Sequence, residues 1–399
     1  MRCLRSVAII LLLPGAASCI RIRVTRGVGD ETSAAITPHD LEVRLTAFAH
    51  DSMMGRQAGS YWGEKAGDYV AAQFKRLGVQ PAGENGGYFQ VVPGITPRDT
   101  TLRRGLARNV VGVIPGSDPA LRGEYVAITA HNDHIGFTHR VVDHDSLRAF
   151  NAVIRPLGAD SRLHAPSADE ATRIRAILDS LRKVHAPRPD SINNGADDDG
   201  SGTVALIELA EAFMKGTVKP HRSILLVSHT AEEAGLLGSE YYTDHPTVPI
   251  DSIVAEFDVD MIGRGSARDI EGGGPTYLEV VGLRRLSNEF GDWVEAANAR
   301  EPTPFVFNIE YDAPGHPEQY YCRADLYSYA RYGIPSVSLS RGAHQDYHQV
   351  TDEPQYIDYP DLARLTQMVF DAALFIGNAD HRPRLDAMKP ANPHVPCKQ

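Results

Sequence analysis

Helical and strand-like hydrophobic patterns alternate along most of this chain. Leu41, Leu45 and Phe48 repeat at the spacing of one helix face, which predicts a helix over residues 38–50. Further helices are predicted at 61–77, 168–184, 202–214, 233–242, 286–299 and 361–376. Strands are predicted at 109–114, 125–130, 223–228, 253–259, 277–281 and 335–340. Because the strands are continuously apolar, the pattern predicts an α/β fold with a mixed, mostly parallel sheet sandwiched between helices.

One long polar stretch, residues 138–190, interrupts this rhythm. It carries no strand signal and only the helix candidate at 168–184. We expect a single domain over 36–378 in which this stretch is an insertion, either a lid over the site or a solvated surface loop. The Pro-rich tail at 380–399 is expected to be loosely ordered.

The first 19 residues have the pattern of a secretory signal. Arg2 and Arg5 precede the apolar run Ser6–Leu13, which is followed by small residues and Cys19. Cys19 resembles a lipoprotein cleavage site, although Ala16 stands where Leu is usual. The pattern predicts export to the bacterial periplasm, the outer surface or the medium. Two outcomes stay open, a lipid anchor on Cys19 or simple cleavage of the signal.

The composition is that of a soluble globular protein, with 42% hydrophobic and 23% charged residues. A net charge of −11 without a basic block argues against nucleic acid as a partner. Cys322 and Cys397 are either a disulfide pair or two free thiols, since export permits disulfides. The sequence does not indicate an oligomeric state.

Side chains that bind metals follow four of the predicted strands. In chain order they are His131, the pair Glu232 and Glu233, Asp260, and the loop histidines His344 and His348. Three aspartates, 197–199, precede the helix at 202–214. Ligands of open α/β sheets bind at the carboxyl ends of the strands. Adjacent carboxylates repel one another unless cations offset them, so the pattern indicates a metal centre at this edge.

Histidine and carboxylate ligands without cysteine favour zinc, with manganese or cobalt as substitutes. The sequence contains no HExxH motif, no GxSxG motif and no phosphate-binding loop. A metallohydrolase is therefore favoured over a thermolysin-like protease, a serine hydrolase or a nucleotide-binding enzyme.

Five motifs taken together resemble those of the co-catalytic di-zinc exopeptidases. They are AHNDHIG (130–136), GADDDGSG (195–202), HTAEEAGLLGS (229–239), FDVDMIGRG (257–265) and DYHQVTDEP (346–354). This family includes bacterial leucyl aminopeptidases and aminopeptidase Y, with glutamate carboxypeptidase and glutaminyl cyclase as relatives. The resemblance spans residues 41–376 and implies the phosphorylase/hydrolase-like zinc exopeptidase fold, with two Zn²⁺ per chain.

The resemblance also implies the metal ligands. They are His131, Asp198, Glu233, Asp260 and His348, with Asp198 bridging the two ions. Three carboxylates and a bridging hydroxide carry four negative charges, which two zinc ions neutralise. Such neutrality makes the cluster tolerable in a partly buried cleft.

Supporting roles are implied for two further acidic residues. Glu232 corresponds to the general base, and Asp133 to the residue that orients the ligand imidazole two positions before it. His134 and His344 are the alternative ligands within their own motifs. Asp199 stands where many members have Asn, which puts the local hydrogen bonding in doubt but not the ligand.

The implied activity is that of an exported or membrane-anchored zinc aminopeptidase. It would hydrolyse N-terminal residues from peptide substrates with a metal-bridged hydroxide and a Glu general base. Alternatives within the family are a carboxypeptidase or dipeptidase, and a glutaminyl cyclase, which uses one zinc. A non-catalytic binding domain on the same fold is a remote alternative, because such relatives have lost ligands.

Overall fold

The structure is a computed structural model that describes residues 32–389 and 392–399. The signal predicted at residues 1–19, including Cys19, lies outside the described residues. Within the described ranges, no helix combines the length and the apolarity that a membrane span requires.

A mixed nine-stranded sheet forms the centre of the fold. The strands of the described residues are β1 (Gln80–Pro81), β2 (Phe89–Val91), β3 (Arg108–Ile114), β4 (Tyr125–His131), β5 (Phe137–Asp143), β6 (Pro189–Ile192), β7 (Ser223–His229), β8 (Ile253–Val259), β9 (Tyr277–Val281), β10 (Val306–Asn308) and β11 (Ser336–Ser340). The order is β1-β3-β7-β4-β8-β11-β9-β10, with β2 also paired to β3. The central strands β7, β4, β8 and β11 are parallel, whereas β3 and β9 flank them antiparallel.

Helices cover both faces of this sheet. They are α1 (Pro38–Phe48), α2 (Tyr61–Leu77), α3 (His144–Ile154), α4 (Ala168–Leu181), α5 (Gly202–Lys215), α6 (Leu237–Asp244), α7 (Asn288–Asn298), α8 (Tyr320–Arg323), α9 (Leu326–Ala330) and α10 (Tyr359–Gly377). On β7, Ile224 and Leu226 pack in a large core with α1, α2, α5, α7 and α10. Leu225 and Val227 point to the opposite face and pack with α6 and α9. The predicted α/β class is confirmed.

The prediction that the insertion lacks strands is wrong. Strands β5 and β6 pair antiparallel and join the two ends of the insertion, with α3 and α4 between them. The pattern missed them because they form a solvent-facing two-stranded sheet; Val141 on β5 is 61% exposed. Exposed strands need no continuous apolar run. The predicted helix at 168–184 is confirmed as α4.

The helix predicted over 233–242 begins only at Leu237. Residues 232–236 form a turn, in which the Gly235 N–H donates to the Glu232 carbonyl at 2.7 Å. Ala231 and Leu236 have φ of 59° and 61°, in the left-handed region that a helix excludes. Glu233 therefore lies on a turn at the end of β7, not on a helix.

The C-terminal segment is tied to the body of the protein. Cys322 on α8 forms a disulfide with Cys397, with sulfurs 2.02 Å apart. The Gln399 side chain accepts a hydrogen bond from the Tyr321 N–H at 3.0 Å. The described part of the tail, which was expected to be loosely ordered, has no helix or strand but is anchored beside α8.

Candidate metal centre

The five predicted ligands converge at one edge of the sheet. His131 is the last residue of β4, Asp260 directly follows β8, and His348 lies in the loop after β11. Glu233 lies in the turn after β7, and Asp198 lies in the turn that leads into α5. The predicted clustering at the carboxyl ends of parallel strands is thereby seen in the structure.

Asp198 lies between the two histidines and is 3% exposed. Its Oδ1 is 3.2 Å from His131 Nε2. Its Oδ2 is 3.0 Å from His348 Nε2. Each oxygen of one carboxylate thus faces a different imidazole, an arrangement with room for two cations rather than one.

The remaining ligands divide between these two positions. On the first side, Asp260 Oδ1 is 3.6 Å from His131 Nε2. On the second side, Glu233 Oε2 is 3.1 Å from His348 Nε2. Around the second position, Asp198, Glu233, His348 and His134 each place one ligand atom within 4.8 Å of the others.

Buried atoms at the centre fit a cation. His131 Nε2, Asp198 Oδ2 and Asp260 Oδ1 are shielded from solvent and find no hydrogen-bond partner in the described part of the chain. An unpaired buried polar atom costs about 1–3 kcal/mol, and metal coordination would remove that cost. Imidazole and carboxylate donors without thiolate are a set that zinc accepts.

Burial and the neighbouring imidazoles have opposite effects on the pKa values of the carboxyls in the cluster. Burial alone would raise the pKa of Asp198, but the neighbouring imidazoles of His134, His131 and His348 hold it well below its usual range. Burial raises the pKa of the Glu232 carboxyl well above its usual range, against the lowering effect of the His131 charge.

Glu232 lies beside the cluster but outside the two ligand positions. Its Oε2 is 3.9 Å from His131 Nε2, and its side chain is 15% exposed. It lines a cavity of about 690 Å³ together with Asp198, Glu233 and Asp260. A carboxylate in this place can reach a water molecule or a substrate in the cavity.

Asp133 contacts both its own loop and the turn after β7. Its Oδ1 lies 3.7 Å from His131 Nδ1, while its backbone carbonyl is closer to that nitrogen, at 3.1 Å. The same Oδ1 accepts a hydrogen bond from the Glu232 N–H at 3.1 Å. Asp133 therefore joins the loop of His131 to the backbone of Glu232.

The other aspartates of the Asp198 turn have scaffold contacts. Asp199 accepts from the backbone N–H groups of His131 at 3.0 Å and Gly202 at 2.9 Å. Its position near His131 and Asp260 would also suit a ligand. Both of its oxygens already bind backbone donors, so Asp199 is less available than Asp198 to a cation on that side. The peptide bond between Asp198 and Asp199 is cis.

Two residues that are not among the predicted ligands hold this turn in place. The Asp352 carboxylate accepts from the N–H groups of Asp197 at 3.0 Å and Asp198 at 3.1 Å. The buried Arg56 guanidinium donates to the carbonyls of Asn132 at 3.1 Å and Gly195 at 2.8 Å. The spacing of the five motifs does not identify Arg56, because its hydrogen bonds go to backbone carbonyls that the fold brings together.

The two alternative histidines have different surroundings. His344 Nδ1 accepts from the Asp346 N–H at 3.2 Å, and its Nε2 lies 3.4 Å from Asp197, away from both ligand positions. His134 belongs to the second group, with Nδ1 2.8 Å from Glu233 Oε1. The sequence suggested His134 only as a replacement for His131, whereas the structure places it beside a different ligand.

The insertion contributes to the wall of the cavity and to the loop of His348. Arg155 and Ala159 line the cavity. Arg148 and Asn151 of α3 donate to the Asp346 carboxylate at 2.8 and 2.9 Å. The insertion therefore packs against the site.

Asp346, two residues before His348, accepts hydrogen bonds from several residues. Besides the contacts from α3, it accepts from buried Arg264 at 2.9 Å and from Thr351 Oγ1 at 2.8 Å. Burial alone would raise its pKa, but the charges of Arg264 and Arg148 hold the pKa of Asp346 well below its usual range. His348 itself has a left-handed φ of 59°, a conformation that persists only where the surroundings fix it.

Residues 109–373 match the family described as peptidase family M28. The chain is 29% identical over 154 residues to the probable leucine aminopeptidase 2 of Aspergillus oryzae, covering 37% of this chain and 28% of that protein. It is 36% identical over 169 residues to leupeptin-inactivating enzyme 1 of Streptomyces exfoliatus, covering 42% and 33% respectively. The chain thus matches about a third or less of the length of these relatives.

Solved structures share the fold. A zinc aminopeptidase from Bacillus subtilis superposes with a TM-score of 0.55 at 15% identity, covering 86% of this chain and 95% of that chain. A glutaminyl cyclase from Bacteroides thetaiotaomicron superposes with a TM-score of 0.54 at 17% identity, covering 86% and 99%. At these identities the likeness establishes the architecture, not the reaction.

Asp346→Asn should destabilise the protein. The substitution removes one of the two carboxylates that pair with buried Arg264 and leaves Asp269 as its partner. It also removes the charge that Arg148 contacts, and losing charged hydrogen bonds of this kind costs about 1.5–3 kcal/mol of unfolding free energy. Urea denaturation of the metal-free protein, followed by circular dichroism, measures the loss.

Asp292→Asn is the matched control, because Asp292 pairs with Arg284 at the surface and is 69% exposed. It should cost about 0–1 kcal/mol. Equal losses in the two variants would contradict the role of Asp346.

Proposed function

The chain belongs to peptidase family M28, and on this basis we propose that it is a zinc-dependent aminopeptidase that removes N-terminal residues from peptides. The observation that carries the proposal is the Asp198 carboxylate, whose two oxygens face two different histidines. Relatives described as aminopeptidases support the same activity.

We propose that two zinc ions bind, with manganese or cobalt as substitutes. His131, Asp198 and Asp260 hold the first, and Asp198, Glu233 and His348 hold the second. When bound, a pair of zinc ions polarises the scissile carbonyl and lowers the pKa of a shared water. The three carboxylates supply the negative charge that makes a doubly occupied site tolerable.

Glu232 is the proposed general base. It lines the cavity, lies outside both ligand positions, and is 15% exposed, so its carboxylate can meet the attacking water. It accepts the proton of that water and transfers it to the amine that leaves. Asp133 is a positioning residue that fixes the Glu232 backbone through the N–H to Oδ1 hydrogen bond at 3.1 Å.

The charges that line the cavity favour a substrate amine over a substrate carboxylate. Arg155 donates to the carbonyls of Gln345 and Ala159, at 2.9 and 3.3 Å. Arg323 lies 3.6 Å from the Glu318 carboxylate and donates to the Glu318 carbonyl at 3.2 Å. Apart from the proposed metal ligands, the lining holds three carboxylates, Glu232, Glu279 and Glu318, against these two arginines. This balance of charge favours a substrate amine, whereas a carboxypeptidase needs a cation for the terminal carboxylate of its substrate.

The second ligand position argues against the other candidates. A cyclase of this fold is expected to hold one zinc, and a binding domain none. Glu233 and His348 remain in this chain, only 3.1 Å apart, which supports a second metal. A count of zinc per chain separates the three functions.

We further propose one peptidase domain over 36–378, with the insertion at 138–190 as part of the cavity wall. One sheet runs through this range, which supports a single unit. Export stays a prediction from residues 1–19. The disulfide between Cys322 and Cys397 supports it, because disulfides persist mainly in oxidising compartments.

A substrate panel tests the aminopeptidase proposal. Aminoacyl p-nitroanilides and C-amidated peptides with a free amine should be hydrolysed from the N-terminus, and their N-acetylated counterparts should not. Release of C-terminal residues from N-acetylated peptides would instead identify a carboxypeptidase. Release of ammonia from peptides with N-terminal glutamine would identify a cyclase.

Glu232→Gln should retain zinc and lose turnover by a factor of about 10²–10⁴, because the amide cannot accept the proton. Elemental analysis and steady-state rates on a p-nitroanilide measure the two effects separately. Glu240→Gln serves as control, since Glu240 lies on α6 with a side chain 48% exposed. Near-normal turnover in Glu232→Gln would refute the assignment of the base.

A further inference from the structure

His134 is buried beside the second ligand position. It follows Asp133 in the loop after β4 and is 0% exposed. Its Nδ1 lies 2.8 Å from Glu233 Oε1. Neither atom has a hydrogen-bond partner in the part of the chain that the structure describes. Two buried polar atoms at this separation can hydrogen-bond to each other, and leaving both unpaired would lower the stability of the folded protein.

The two oxygens of Glu233 face different residues. Oε1 faces His134, and Oε2 lies 3.1 Å from His348 Nε2. His134 Nδ1 is farther from the bridging carboxylate, at 3.6 Å from Asp198 Oδ2. His134 Nδ1 is therefore placed to bind Glu233 Oε1, while Glu233 Oε2 points toward the second metal position.

The imidazole of His134 has little freedom to move away. Gly195 packs directly against it, and a Cβ on Gly195 would lie 2.5 Å from the ring carbons Cγ and Cδ2. On another side the ring meets that of His348 edge-on, with centroids 5.6 Å apart. A side chain confined in this way holds its partner in one orientation.

We propose that His134 is a positioning residue for the second metal, whose Nδ1–H donates to Glu233 Oε1 and keeps Oε2 directed at the ion. The inference rests on the proposed function only in requiring metal at this position. When one carboxylate oxygen is already hydrogen-bonded, the side chain loses less rotational entropy as the other oxygen binds a cation. Partners of this kind change metal affinity by about 10–100-fold when removed.

The test measures zinc affinity in the full chain without substrate, by competition with a chromophoric chelator. Wild type should show two sites. His134→Ala should weaken one site by about 10–100-fold and leave the other unchanged. Unchanged affinities at both sites, or equal weakening of both, would overturn the proposal.

Two conservative variants keep the test decisive if the alanine variant does not fold. His134→Asn places an amide N–H near the position of Nδ1 and should restore most of the lost affinity. His134→Gln places its amide near Nε2 and should not. His139→Ala is the matched control, because His139 lies in the neighbouring strand β5 and its side chain is 73% exposed. Rescue by Gln but not Asn would also overturn the proposal.

A failure of the proposed function gives a different result. If wild type binds two zinc ions but hydrolyses no substrate, the aminopeptidase activity fails and the affinity comparison among the His134 variants still stands. If X-ray absorption of the wild-type enzyme shows His134 as a direct zinc ligand, the activity stands and the positioning role fails.

Discussion

The carboxylate of Asp198 is the contact on which the rest of the centre depends. It is buried, it faces His131 with one oxygen and His348 with the other, and it lies in a turn with two more aspartates. A carboxylate in such a place is stable only with nearby positive charge. The strands that carry the two histidines, β4 and β11, are separated by β8 in the sheet, so the site requires the whole parallel centre of the fold.

Backbone donors and buried ion pairs hold this carboxylate and its partners in place. The Asp352 carboxylate accepts a hydrogen bond from the Asp198 N–H. The Arg56 guanidinium donates to the carbonyls of Asn132 and Gly195. Asp346 joins the His348 loop to the insertion through Arg148. None of Asp352, Arg56, Asp346 and Arg148 lines the cavity, yet these four residues hold in place the segments whose side chains do. The insertion is therefore part of the framework that surrounds the site.

Much of this arrangement was predictable from the sequence, for a physical reason. Apolar strands that each end in a histidine or a carboxylate place those side chains together wherever the strands run parallel, as for His131 and Asp260. The prediction failed where local geometry overrides the pattern. Because Ala231 and Leu236 have left-handed φ angles, α6 begins later in the chain than predicted. The strand β5 was missed because it is exposed and lacks an apolar run.

His134 and Arg56 show a second limit of what the sequence alone can predict. Each acts on a partner distant in the chain, Glu233 in one case and the Gly195 carbonyl in the other. A linear pattern does not register such contacts, because they depend on the register of β4 against β7 and on the path of the turn before α5. The resemblance of the motifs to a known family implied the candidate ligands, but the contacts that His134 and Arg56 make with them and with their turn became visible only in the three-dimensional structure.

The most direct test of a bridging Asp198 is anomalous diffraction at the zinc absorption edge from crystals of the wild-type protein. The account predicts two peaks about 3.5–4 Å apart, one beside each oxygen of Asp198. One peak should lie next to His131 and the other next to His348. A single peak, or two peaks on the same side of Asp198, would contradict it.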